Sequence, residues 1–190
     1  MNAKAAAILT DPHPYGHIVY PYTDEALVGQ AVALFAGAGL RNGEGVVLVM
    51  TAAHRDSITL RLVTEGYDVE NLQRSGRLVC ILAEDLLSQF MRDGVPDEEI
   101  FSAVIENLIT TCRASTDSSS GQVRVFGEMV SLLWNANLGA TISLEEMWNK
   151  IIDRNSVSLM CTYALNGSNG IPDSLHSLHS HSMKCADIAA

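Results

Sequence analysis

Short runs of apolar and aromatic residues recur along this chain, and most are followed by a stretch whose apolar positions return at helical spacing. The runs are His17 to Tyr22, Val46 to Met50, Leu78 to Leu82, Val123 to Phe126 and Ser156 to Tyr163. Most lack strict alternation, the pattern of strands covered on both faces. After the first run, Leu27, Ala31, Leu34, Phe35 and Ala38 mark a helix that is expected to stop at Gly39, with Val28 and Val32 widening its buried surface. Ile58, Leu62 and Val63 predict the inward face of the next helix, ended by Gly66, and Asp68 to Arg74 predicts a brief helical turn. Ala83 to Arg92 reads as helix up to the break at Gly94-Val95-Pro96. Ile100, Phe101, Val104, Ile105, Leu108, Ile109 and Cys112 form one long stripe.

Beyond the loop Ala114 to Gly121, the run ending at Phe126 leads into Gly127-Glu128-Met129 and a helix to about Asn137. Ser143-Leu144-Glu145-Glu146 has the spacing of a capping box, which places a helix start at Ser143. Leu144, Met147, Trp148, Ile151 and Ile152 would be its buried face, and core packing is the expected role of both Trp134 and Trp148. A short helix from Asp173 follows the loosened stretch Asn166 to Gly170. Strands alternating with helices predict an α/β fold: a mostly parallel central sheet of five or more strands with helices on both faces. The expected organisation is an N-terminal extension over 1–15, one domain over 16–165, and a histidine-rich tail over 166–190.

Composition narrows the function classes. Apolar residues make up 47% of the 190 and charged residues 18%, as in a globular chain. The 12 Lys and Arg against 22 Asp and Glu leave a formal charge of −10, which argues against direct binding of nucleic acid or an anionic membrane. Neither a signal peptide nor a membrane span is evident, and the four cysteines lack C-x-x-C spacing, so a reducing, cytoplasmic setting is expected.

In sheets of this kind ligands bind beyond the carboxyl ends of the strands. The first such junction would carry a glycine-rich loop and a lysine in a nucleotide-binding domain. Here it reads Pro21-Tyr22-Thr23-Asp24, without glycine or lysine, and Asp24 and Glu25 stand where a phosphate would need positive field. The order of elements resembles a nucleotide-handling domain that lacks its phosphate grip, and no cofactor is expected.

Several fragments together resemble one family: His17-x-x-Tyr20-x-Tyr22, Gly39-Leu40-x-x-Gly43-Glu44, Arg124-x-x-Gly127-Glu128-Met129, Leu133-Trp134, Cys161-x-Tyr163 and His179-Ser180-His181. They are similar to the MEDS domain, the methanogen/methylotroph DcmR sensory domain, whose layout is in turn similar to KaiC-type RecA-like ATPases. The resemblance implies a RecA/KaiC-like sheet without a phosphate loop, and a ligand-sensing module of transcription regulators and signalling proteins. Small hydrocarbon derivatives are the ligands it implies. His54 departs from the acidic residues common at that place in the ATPase relatives. The sequence shows no helix-turn-helix, kinase core or basic patch, so a separate signalling or regulatory protein is the expected partner. Its broad apolar elements also permit a homodimer.

Tyr20, Tyr22, Thr51, His54, Arg124, Glu128, Cys161 and Tyr163 are the candidate ligand-binding residues, all placed near strand ends. Strand alternation puts Tyr20 and Tyr22 on one face, away from His17, and sets Cys161 and Tyr163 on a common face. Arg124 and Glu128 could pair with each other or hold a polar ligand group. No catalytic residues are assigned to a non-enzymatic sensor. Two other readings stay open. One is a divergent nucleotide hydrolase or transferase using Glu128 and Arg124. The other is a metal sensor through His176, His179, His181 and Cys185, with Cys161 or His17 completing the set.

Overall fold

The computed structural model describes residues 2–117, 119–168 and 170–183. Its centre is a six-stranded sheet of β1 (His17–Tyr22), β2 (Gly45–Met50), β3 (Leu78–Leu82), β6 (Val123–Gly127), β7 (Val157–Ala164) and β8 (His181–Ser182). The spatial order is β3-β2-β6-β7-β1-β8, and every pairing is parallel. The expected parallel α/β architecture is therefore present.

Register gives the sheet a simple rule. His17 lies beside Leu159, Val46 beside Arg124 and Leu78, and Val125 beside Leu159. Because side chains alternate along a strand, odd-numbered residues of β1, β2, β3, β6 and β7 share one face and even-numbered residues the other, while β8 is offset by one, with His181 beside Ile18. The even face carries Ile18, Tyr20, Tyr22, Val46, Leu48, Met50, Phe126 and Met160. Against it pack α1 (Ala3–Thr10), α2 (Glu25–Arg41), α3 (Ala52–Thr64) and α4 (Val69–Ser75). The odd face carries Val19, Val47, Val49, Val125, Leu159, Cys161 and Tyr163. It is covered by α5 (Ala83–Phe90), α6 (Glu98–Arg113), α7 (Met129–Leu133), α8 (Leu138–Asn155) and α9 (Asp173–His176). Each face thus has its own apolar core.

Several local expectations are corrected. Helix α2 does not stop at Gly39 but runs to Arg41, and the glycine serves close approach instead. A Cβ there would lie 2.7 Å from Cδ of Arg124, whose side chain crosses the helix at that point. The buried face of α3 is His54, Ile58 and Leu62, while Val63 is 51% exposed. The residues after Phe90 leave the helix and form a two-stranded antiparallel hairpin, β4 (Met91–Arg92) with β5 (Val95–Pro96), turned by Asp93 and Gly94 at positive φ. Helix α8 begins five residues before the Ser143 box, capped by Asn137, whose side chain accepts from the Ala140 amide at 3.0 Å. Nor is β7 the last strand: the tail returns, and β8 pairs with Ile18 and Val19.

The segment before β1 is an ordered part of the domain. Ala5 and Leu9 of α1 are buried against α2, and the carbonyls of Leu9 and Thr10 accept from Arg124 at 3.0 and 3.1 Å. Arg124 also donates to Phe35 O at 3.1 Å and to both carboxylate oxygens of Glu44. All five guanidinium N–H donors are thereby used. This buried side chain ties α1, α2 and the start of β2 to β6. Removing it would leave three carbonyls and a carboxylate without their donor. Arg124→Ala is expected to lower stability by about 3–5 kcal/mol in urea unfolding and to expose the segment before β1 to limited proteolysis. A loss below about 1 kcal/mol would contradict this role.

Candidate functional site

The carboxyl edge of the sheet carries one compact polar cluster. Glu128 follows directly on β6, and its side chain is entirely buried. One of its oxygens accepts from the Thr51 backbone N–H at 2.7 Å and the Thr51 hydroxyl at 3.1 Å; the other meets Nδ1 of His54. Thr51 and His54 open α3, so the carboxylate rests at a helix N-terminus. Nε2 of His54 meets the carboxylate of Glu25 on the first turn of α2, and that carboxylate is 68% exposed. The Tyr22 ring stands edge-on to the imidazole at 5.9 Å, with Tyr20 behind it at 6.4 Å. The hydrogen bond to Glu128 raises the His54 pKa above its ordinary value; burial opposes this and Glu25 adds to it. Burial, with Glu128 and Glu25 nearby, pushes the Tyr22 phenol up, so it stays a neutral donor.

The eight predicted ligand residues do not form one site. Tyr20, Tyr22, Thr51, His54 and Glu128 come together on the even face and its upper edge. Arg124 does not join them. It shares the face of Glu128, but four residues at about 3.3 Å each place it near the strand's other end, committed to Glu44. Arg124 and Glu128 therefore do not pair with each other.

Cys161 and Tyr163 are also elsewhere, beneath the odd face. There the Tyr163 hydroxyl donates to Oε1 of Glu145, and Sγ of Cys161 lies 3.5 Å from Nε2 of His17 and 3.6 Å from Oε2 of Glu145. Nε2 of His17 and Nε2 of His179 each stand 3.2 Å from a Glu145 oxygen. Burial alone would raise the Glu145 carboxyl, but the two imidazoles outweigh it and hold the group well below the usual carboxylate range. Burial followed by the Glu145 charge drives the Cys161 thiol and the Tyr163 phenol upward.

Of the tail histidines, only His179 reaches this cluster. His176 bonds Ser182 at 3.0 Å and His181 bonds Ser180 at 3.0 Å, both near the surface; Cys185 lies outside the described residues. Sequence reasoning missed Glu145 by reading it as part of a helix cap. Its signal was available, because with the helix begun earlier Glu145 sits between Thr141, Leu144 and Trp148 on the buried stripe. A carboxylate in that position needs a partner. Glu25 was likewise read as a helix-start residue only.

A family model described as "MEDS: MEthanogen/methylotroph, DcmR Sensory domain" matches residues 16–180. Among solved structures, a KaiC-like protein from the hyperthermophilic archaeon Pyrococcus horikoshii is similar at a TM-score of 0.58 and 13% identity. The match covers 90% of this chain and 72% of that one, and at this identity it speaks for the fold. No curated protein matches.

The upper cluster makes a pH prediction. A histidine whose folded pKa lies above its ordinary 6.5 contributes stability that is complete below that value and is lost as pH rises through the folded pKa. The stability difference between wild type and His54→Gln, measured by urea unfolding across a pH series, should be largest at the acid end and shrink above pH 6.5. A difference independent of pH would contradict the His54–Glu128 pairing.

Proposed function

Because the chain belongs to the MEDS family of sensory domains, we propose that it is a sensor without catalytic turnover, reading a small ligand at the carboxyl edge of its sheet. One observation carries the reading. The N-termini of the helices that follow β1 and β2 are each already held by a carboxylate of the chain. Asp24 accepts from the Ala26 amide at 2.9 Å in α2, and Glu128 accepts from the Thr51 amide at the start of α3. Those amides are the groups that would otherwise cradle a polyphosphate. The connection from Tyr22 to Glu25 is only Thr23 and Asp24, too short to wrap a phosphate chain. Arg124, turned to Glu44, gives no help to Glu128 in phosphoryl chemistry.

The replaceable contact is the one on the solvent side. A ligand with one hydrogen-bonding group and an apolar body would take the Nε2 of His54 from Glu25 and lie against the Tyr22 ring. The exchange frees the first turn of α2 to move. A separate protein of transcription or signal transduction would read that change, to the extent that the ligand prefers one state over the other.

Thermal unfolding in the presence of short-chain alcohols, alkyl halides, amines and carboxylates tests this. At about 100 times its Kd, a member that binds should add roughly 2.7 kcal/mol, and His54→Ala should abolish the effect. ATP with magnesium should produce neither stabilisation nor phosphate release. Release that disappears in Glu128→Gln would establish an enzyme instead, and silence across the panel would remove the ligand from the reading.

A further inference from the structure

Independently of that reading, the cluster under the opposite face has the composition and geometry of a metal centre. His17, Glu145, Cys161 and His179 each offer one ligand atom, and these atoms all lie within 4.8 Å of one another. The side chains of His179 and Glu145 are 0% exposed. Metal–nitrogen and metal–oxygen bonds of about 2.0–2.2 Å and a metal–sulfur bond of about 2.3 Å give tetrahedral ligand–ligand edges of roughly 3.3–3.8 Å. The separations already present are 3.2, 3.5, 3.6 and 3.2 Å. Nε2 of His17, Sγ of Cys161 and Oε2 of Glu145 are spaced as ligands around a common centre, and Nε2 of His179 stands beside Oε1 of the same carboxylate.

Two further features separate this arrangement from an ordinary buried ion pair. Each imidazole is oriented from behind. Nδ1 of His17 donates to Oδ1 of Asn149 at 2.8 Å, and that amide is itself held by its N–H donating to Leu178 O at 3.0 Å. Nδ1 of His179 donates to the Leu175 carbonyl at 2.7 Å. Both rings therefore direct Nε2 towards the same carboxylate and thiol, as metal-binding histidines do once that nitrogen is deprotonated. Nε2 of His179 is buried and makes no well-aligned hydrogen bond, although it stands 3.2 Å from Oε1 of Glu145. Charge points the same way: a carboxylate and a thiolate sum to −2, and a dication between them would make the buried site neutral. Binding would displace the Cys161 proton to solvent, and the Tyr163 hydroxyl would remain on Glu145 as an outer support.

We infer that His17, Glu145, Cys161 and His179 form a closed site for a divalent borderline metal ion, Zn2+ fitting the donor set best. The ligands come from β1, α8, β7 and the chain after α9, so the ion would fasten the C-terminal segment to the sheet. Occupancy would thereby control whether β8 stays paired with β1.

The test uses the full chain, stripped with a chelator and titrated with Zn2+ and, for spectroscopy, Co2+. One equivalent should bind with a thiolate-to-cobalt charge-transfer band, and Zn2+ should protect the segment after β7 from proteolysis. Cys161→Ser should remove the band. Asn149→Ala, which only frees the His17 ring, should weaken binding about 10–100-fold, and His179→Gln should weaken it further. The paired substitution His176→Ala and His181→Ala should change nothing. Uptake without the thiolate band in wild type overturns the proposal whether or not any variant folds. So does the lack of stoichiometric uptake, or binding that follows His176, His181 or Cys185.

Discussion

The constraint on which this molecule depends is the shared parity of its strands. Across β3, β2, β6, β7 and β1, held in this register, a side chain's odd or even number decides which core it enters, and the short β8 is offset from them by one residue. The sheet is then a wall. Residues that lie side by side in the sequence, such as Thr162 and Cys161, serve opposite faces, and no rearrangement short of a slipped register would bring them together. The family's characteristic fragments separate along this wall. Tyr20, Tyr22 and Glu128 go to the edge above the even core, Cys161, Tyr163, His17 and His179 to the odd one, and Glu44 and Arg124 meet near the far ends of their strands.

Each of these places is organised around a buried or nearly buried carboxylate, and each carboxylate is neutralised differently. Glu44 has a permanent cation, Arg124, whose donors are all committed, and this is the rigid solution. Glu128 relies on a helix N-terminus and on a histidine whose pKa this contact raises. Glu145 has two imidazoles, a thiol and a phenol around it, and among the described residues neither lysine nor arginine pairs with it. The first serves stability. The other two rest on histidines, whose charge depends on protonation.

These two clusters also differ in what they hold. The upper one links the starts of α2 and α3, with Glu25 facing solvent. The lower one is closed by His179, contributed by a segment that returns after β7 and adds a strand beside β1. The two clusters lie on opposite faces of the sheet and share no side chain. The sheet lies between them, and β1 carries Tyr22 to one and His17 to the other.

What the sequence determined by itself was whatever depends on short-range periodicity. Apolar runs and helical stripes established the strands, the order of elements and the two covered faces, and the junction Pro21 to Asp24 excluded a phosphate loop. Even the separation of Tyr20 and Tyr22 from His17 was legible from alternation. Local signals failed where a distant partner changed a residue's meaning. Gly39 read as a stop until Arg124 was seen to cross it, and Glu145 read as a cap until His17 and His179 surrounded it. Arg124 and Glu128, four apart across the end of one strand, could have paired or held a ligand together, yet each found a nearer charge across the sheet. Only the tertiary structure decided these pairings, because a buried charge selects whatever countercharge the fold brings within a few ångströms, and that choice leaves no periodic trace along the chain.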